Sequence, residues 1–114
     1  MQIQPKGILT YITPLGQDPY RRWYTRVKDE KTRAIITSRI ERLRQGNPGD
    51  CRRLNKDLYE LRIHYGPGYR VYFGLLHNNL AVLLGGGSKK TQRQDITKAQ
   101  NHWNEFLQRV EEQQ

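Results

Sequence analysis

An α+β fold is what this 114-residue sequence predicts, with an antiparallel sheet of about four strands packed against two N-terminal helices and one C-terminal helix. Three observations predict it. Residues Asp57 to Gly74, DLYELRIHYGPGYRVYFG, alternate apolar and polar side chains on either side of a Gly-Pro-Gly loop, as a β-hairpin requires. Two early segments place apolar residues at helical spacing, each behind an aspartate that can cap a helix. From Ile96 to Val110 a longer apolar stripe repeats with the same helical period.

Taken in order, Ile8 to Thr13 reads as a first strand, ended by Pro14 and Gly16. Asp18 then offers a cap with Pro19 at the first helical position, opening a short helix through Lys28. Its apolar positions are Tyr20, Trp23, Tyr24 and Val27, and Trp23 reads as core rather than as a platform for a base. Asp29 caps a second helix to about Gln45, with Ile36, Ile40 and Leu43 as the buried stripe and Gly46 as the stop. The outer face of that helix holds Lys31, Arg33, Arg39, Arg42 and Arg44, either a solvated flank or an RNA contact.

A loop from Asn47 to Asn55 leads into the hairpin. Strand side chains switch faces every residue, so Leu61, Ile63, Val71 and Phe73 point one way and Glu60, Arg62, His64, Arg70 and Tyr72 the other. For both apolar rows to share a face, paired residue numbers must sum to an even number, which fits His64 opposite Arg70 and Arg62 opposite Tyr72. The polar row is expected to lie on the open side of the sheet. The segment Leu75 to Leu84 turns at His77, Asn78 and Asn79 into another strand, with Leu80, Val82 and Leu84 on one face. Gly85, Gly86 and Gly87 are expected to end that strand and to allow unusual backbone angles or a close approach of backbone to ligand. Thr91 followed by Gln94 resembles a capping box for a final helix to about Glu111, with His102 on its exposed flank. Neither a repeat nor a low-complexity linker divides the chain, so residues 1–114 are expected to form a single domain.

Net charge is +9 and the isoelectric point near 10.0, which favours an anionic partner, nucleic acid ahead of acidic protein or membrane. No apolar run approaches the ~20 residues a spanning helix needs, and the opening MQIQPKGILTYI lacks the layout of a secretion signal, so a cytoplasmic protein is expected. Cys51, the sole cysteine, reads as a passive or partly buried residue. His64, His77 and His102 stand far apart without paired carboxylates, so neither a metal site nor a cofactor is predicted. GGGSKKT is not a phosphate-binding loop of the ATPase kind, because Val82 stands where the first glycine would be and Ser88 separates the last glycine from Lys89. Between Arg52 and Arg93 eight basic residues face two acidic ones, placing +6 of the +9 in this window. The loop before the hairpin, its polar face and the GGGSKK turn can converge on one concave surface suited to a bent RNA strand.

The order of elements, LYELRIHYGPGYRVYFG, LLGGGSKKTQ and DITKAQNHW together resemble the addiction-module killer proteins, a HigB-like branch of the RelE/ParE toxin superfamily, over roughly residues 8–107. The resemblance implies a type II toxin that cleaves messenger RNA in the A site of the 70S ribosome. It also implies a cognate antitoxin, a helix-turn-helix protein encoded by an adjacent gene. By position, Arg62 and Arg70 match basic residues that grip the scissile phosphate in RNA-cleaving relatives, and Lys89 or Lys90 lies where another basic residue follows the last strand. Glu60 stands where such relatives carry a lysine, and Asp95 near where some carry a late tyrosine. Two other readings remain open: a gyrase-inhibiting ParE-like toxin, and a non-catalytic RNA-binding domain.

Metal-free RNA cleavage needs a group to accept the 2′-hydroxyl proton, positive charge at the phosphorane oxygens, and a proton for the departing 5′-oxygen. Arg62 and Arg70 are therefore the expected phosphate clamp, supported by Lys89 and Lys90, because the planar guanidinium meets two oxygens at once. Imidazole, with an ordinary pKa of ~6.5, makes His64 the first candidate acid or base, with Tyr72 or Glu60 second. Arg52, Arg53, Lys56, Lys90 and Arg93 are expected to line the RNA path.

Overall fold

Two aspartates start the first two helices as their side chains require. Asp18 Oδ1 accepts a hydrogen bond from Arg21 N at 2.9 Å, opening α1 (Pro19–Arg26). Asp29 Oδ2 accepts from Thr32 N at 3.2 Å and from Thr32 Oγ1 at 2.6 Å, opening α2 (Glu30–Arg44). Each cap satisfies backbone donors that a helix start leaves free. The computed structural model describes residues 3–113. Its third helix, α3 (Gln92–Glu112), follows a 3-10 turn at Lys89–Thr91. The expected capping box at Thr91 does not form: its hydroxyl bonds the Asp95 side chain at 2.5 Å, so no side chain caps the backbone there.

The sheet has five strands, not about four, and is mixed rather than wholly antiparallel. Its strands are β1 (Gly7–Thr10), β2 (Cys51–Arg53), β3 (Leu58–Ile63), β4 (Tyr69–Leu76) and β5 (Leu80–Ser88), in the order β1-β5-β4-β3-β2. The extra strand is β2, which pairs antiparallel with β3 inside the segment expected to be a loop. With two of its three residues exposed, β2 carries none of the apolar alternation by which strands are recognised. β1 runs parallel to β5 because the α1–α2 unit intervenes before the chain returns to the sheet. Strand β5 does not end at its glycines but continues through them to Ser88. The tight turn into β5 sets His77 and Asn78 at φ 54° and 55°, a geometry that short polar residues tolerate.

Each face of the sheet is buried. Leu61, Ile63, Val71 and Phe73 pack with Ile36 and Leu43 of α2 and Tyr20 of α1. On the other face Leu58, Tyr72, Val82 and Leu84 pack against Ala99 and Trp103 of α3. Burying such side chains stabilises the fold by about 1.5–3 kcal/mol each. This second core corrects the expectation of an open polar face: α3 lies over it, and Glu60 and Tyr72 are fully buried. Gly74 makes the contact possible, since a Cβ there would stand 2.2 Å from the Trp103 ring. Two of the three glycines of β5 likewise admit protein side chains, Trp23 against Gly86 and the Asp95 carboxylate against Gly87, whereas a Cβ at Gly85 would meet nothing within 4 Å. A bulge between Tyr72 and Phe73 shifts the β4–β5 register and so the facing of these glycines. His102, expected on an exposed flank, is half-buried with its ring 5.0 Å from that of Tyr11.

Candidate functional site

The hairpin loop shapes a cleft at one end of the sheet. Gly66 and Gly68 adopt φ 57° and 83°, and Gly68 N closes the turn on Tyr65 O at 3.1 Å. Gly68 O accepts from Lys89 N at 3.0 Å, which draws the end of β5 beside the hairpin. The pairing is Arg62 opposite Arg70 and Glu60 opposite Tyr72, one step from the expected register of His64 with Arg70 and Arg62 with Tyr72. The even sum holds, so the faces are those expected; His64 lies just past the last pair, Ile63 with Tyr69, and meets Asp50 instead of Arg70. The result is a cleft of 340 Å³ lined by Arg62, His64, Tyr69, Arg70, Lys89 and Gln92, among others.

Electrostatics in the cleft turn on one buried carboxylate. Glu60 Oε1 accepts from Arg62 Nε at 2.8 Å, and Oε2 accepts from Gln92 Nε2 at 2.8 Å. Arg70 Nε lies 3.6 Å from Oε2, an ion pair without a hydrogen bond. Hydrogen bonding to Glu60 holds the Arg62 guanidinium above its ordinary pKa. Arg62 is partly exposed, whereas Arg70 is 8% exposed, so the expectation that both stand on an open face holds only for Arg62. Even so, Arg70 lines the cleft, and its buried Nε has no hydrogen-bond partner among the described residues. One carboxylate against Arg62, Arg70 and Lys89 leaves the cleft positive, with donors to spare for an anion.

His64 is exposed and its Nε2 lies 2.5 Å from Asp50 Oδ2, so the imidazole is oriented by a carboxylate. Tyr72 does not reach the cleft. Its hydroxyl is buried under α3, and desolvation, then the charges of Glu60 and Asp95, push it well above the ordinary phenol pKa. Glu60, with both oxygens engaged, is a counter-ion and not a free base. Burial pushes the Cys51 thiol up to about 11, in keeping with a passive residue.

The remaining basic candidates scatter. Arg52 pairs opposite Glu60 on β2 and so shares its face. Arg53 bends back to donate to the carbonyls of Asn55 and Lys56, clasping its own turn. Lys56 precedes β3 and stands six residues from Arg62, roughly 20 Å along an extended strand. Lys90 and Arg93 are exposed near the start of α3 but do not line the cleft. Three contributors escaped sequence reading: Asp50, Gln92 and Arg39. The last was assigned to a solvated or RNA-facing flank, yet it donates to Arg62 O at 2.6 Å and to Pro48 O at 2.7 Å, bracing β3 against the loop that carries Asp50. The loop from Asn47 to Asn55 was visible, but the β2 pairing that brings Asp50 to His64 was not.

Comparison with known proteins places this geometry in context. The family model described as Phage derived protein Gp49-like (DUF891) matches residues 24–104. An uncharacterised protein of Haemophilus influenzae is 40% identical over 99 residues, covering 87% of this chain and 91% of the relative.

Proposed function

The chain belongs to the phage-derived Gp49-like family, a family of the toxin-antitoxin type, and on that premise we propose that it is a ribosome-dependent endoribonuclease that cuts messenger RNA in the A site. The observation that carries the proposal is the pair Arg62 and Arg70, set opposite each other across β3 and β4, with Arg70 nearly covered and its buried Nε without a hydrogen-bond partner among the described residues. A buried guanidinium left with spare donors in a positive cleft is matched to an anion, and a phosphodiester supplies paired oxygens for it.

In this reading the 2′-oxygen attacks the adjacent phosphorus and the bond to the 5′-oxygen breaks, leaving a cyclic phosphate and a 5′-hydroxyl. Arg62, Arg70 and Lys89 hold the phosphorane oxygens as charge develops. His64, oriented by Asp50, takes the 2′-proton or returns one to the 5′-oxygen. Positive charge outside the cleft, at Lys90 and Arg93, steers RNA toward it. The ribosome orients the message, which explains how a site with one imidazole and no second proton carrier suffices. Among the described residues no helix is long and apolar enough to cross a membrane, in keeping with action on ribosomes. The cognate antitoxin is the expected protein partner. The test is controlled expression in a bacterium without that antitoxin: growth arrest is expected for the wild type and absent for folded Arg62→Ala/Arg70→Ala. Arrest by that double variant would refute the proposal.

A further inference from the structure

A second cavity, of 290 Å³, lies between α1, the far end of β5 and α3. β1 pairs with β5 only from Leu80 to Leu83, so among the described residues the edge of β5 beyond Leu83 has no strand on that side, and the cavity opens there. Arg22 and Arg26 of α1 and Lys98 of α3 line it, all exposed, and none of the three makes an ion pair among the described residues. The half-buried ring of Trp23 forms one wall and His102 another, while the buried Tyr72 closes the floor. Asp95 is the one carboxylate in the lining, and three cations against it around an aromatic wall are the combination that takes a phosphate together with a base.

This cavity shares a wall with the cleft of Arg62 and Arg70. Gln92 borders the cleft and Asp95, one turn on along the same face of α3, borders the cavity. Along β5, Gly86 of the cavity and Lys89 of the cleft are three residues apart, roughly 10 Å in extended backbone. Resting on the RNA-cleaving reading, we propose that the cavity is a second nucleotide subsite, which holds the phosphate and base next to the scissile bond. The positive lining disfavours a cationic ligand, and the aromatic wall distinguishes the cavity from a plain phosphate cradle.

The test is binding of uncleavable 2′-O-methyl oligonucleotides, a dinucleotide and a trinucleotide, to the full chain. The wild type is expected to bind the trinucleotide about tenfold tighter, the scale of one added charge-assisted phosphate contact. Arg22→Ala/Arg26→Ala/Lys98→Ala should lose that gain and leave the dinucleotide affinity unchanged. Trp23 emission should be quenched by the trinucleotide alone, a signal separable from the buried Trp103 by Trp23→Phe. Equal affinities in the wild type, no binding of either oligonucleotide, or a triple variant that keeps the gain would overturn the subsite. So would an acidic peptide whose binding the triple variant abolishes while oligonucleotide affinities stay unchanged. Binding of both oligonucleotides that survives Arg62→Ala/Arg70→Ala would instead refute the cleft reading, so the two failures are distinct.

Discussion

Arg62 and Arg70 face each other across the β3–β4 ladder, and the carboxylate of Glu60 holds both. Two like charges opposite one another in a sheet repel. Glu60 neutralises one of them from within the second core, while Gln92 of α3 satisfies its remaining oxygen. The cation pair is thus built into the fold rather than laid on its surface.

That arrangement makes Glu60 a stability residue as well as a positioning one. Glu60→Ala should destabilise the fold by about 3 kcal/mol, because Arg70 is left as an uncompensated buried charge. In a double-mutant cycle with Arg70→Met the losses should fall short of additive, since the second change removes the stranded charge. Denaturant unfolding measures both, and additive losses would mean that the two side chains are not coupled.

Gly74 and Trp103 offer a sharper steric test. A methyl at Gly74 meets the indole at 2.2 Å, with the ring held between the sheet and Phe106. Gly74→Ala should therefore cost about 1–3 kcal/mol, the usual range for overpacking. Gly16→Ala tests something else, since nothing lies within reach of a Cβ there and only its φ of 84° opposes the change. It should cost less, and a larger loss than at Gly74 would contradict the packing described.

Much of this fold is legible in the sequence because the signals are local. Asp18 and Asp29 announce their helices, and the alternation from Leu58 to Phe73 separates the two faces of the hairpin. What escaped is long-range. Covering the polar row with α3 depends on Gly74 admitting Trp103, a pairing between residues 29 positions apart that neither residue reveals alone. Likewise β2 exists only through its partner strand, and with it the Asp50–His64 contact. Arg62 and Arg70 could be picked out as neighbours from strand parity; that Arg70 is buried could not, since it follows from the helix above it.

Acid should weaken the fold through His102. Burial, the main cause, lowers its pKa, with Lys98 adding to the effect and Glu105 opposing it. A histidine with a depressed folded pKa binds fewer protons folded than unfolded, so stability is full above the ordinary value near ~6.5 and falls as pH drops below it. His102→Gln should flatten thermal stability across that window. At the alkaline end Tyr11, raised to about 12 chiefly by burial, keeps its proton in the folded state beyond the ordinary value of ~10. Stability should decline from there as pH rises through the folded value, and Tyr11→Phe should reduce that decline.

Cys51 should prove unreactive. With its thiol raised to about 11, the thiolate is scarce at pH 8, and iodoacetamide should modify the native protein far more slowly than the urea-unfolded one. Equal rates would show that the β2 edge opens readily.

The most direct measurement is a map of 5′ ends on cellular messages after brief induction, comparing the wild type with Arg62→Ala/Arg70→Ala. New ends confined to translated frames in the wild type and lost in the folded double variant are the predicted result. Arrested growth with intact messages, or the same cuts in both proteins, would contradict it.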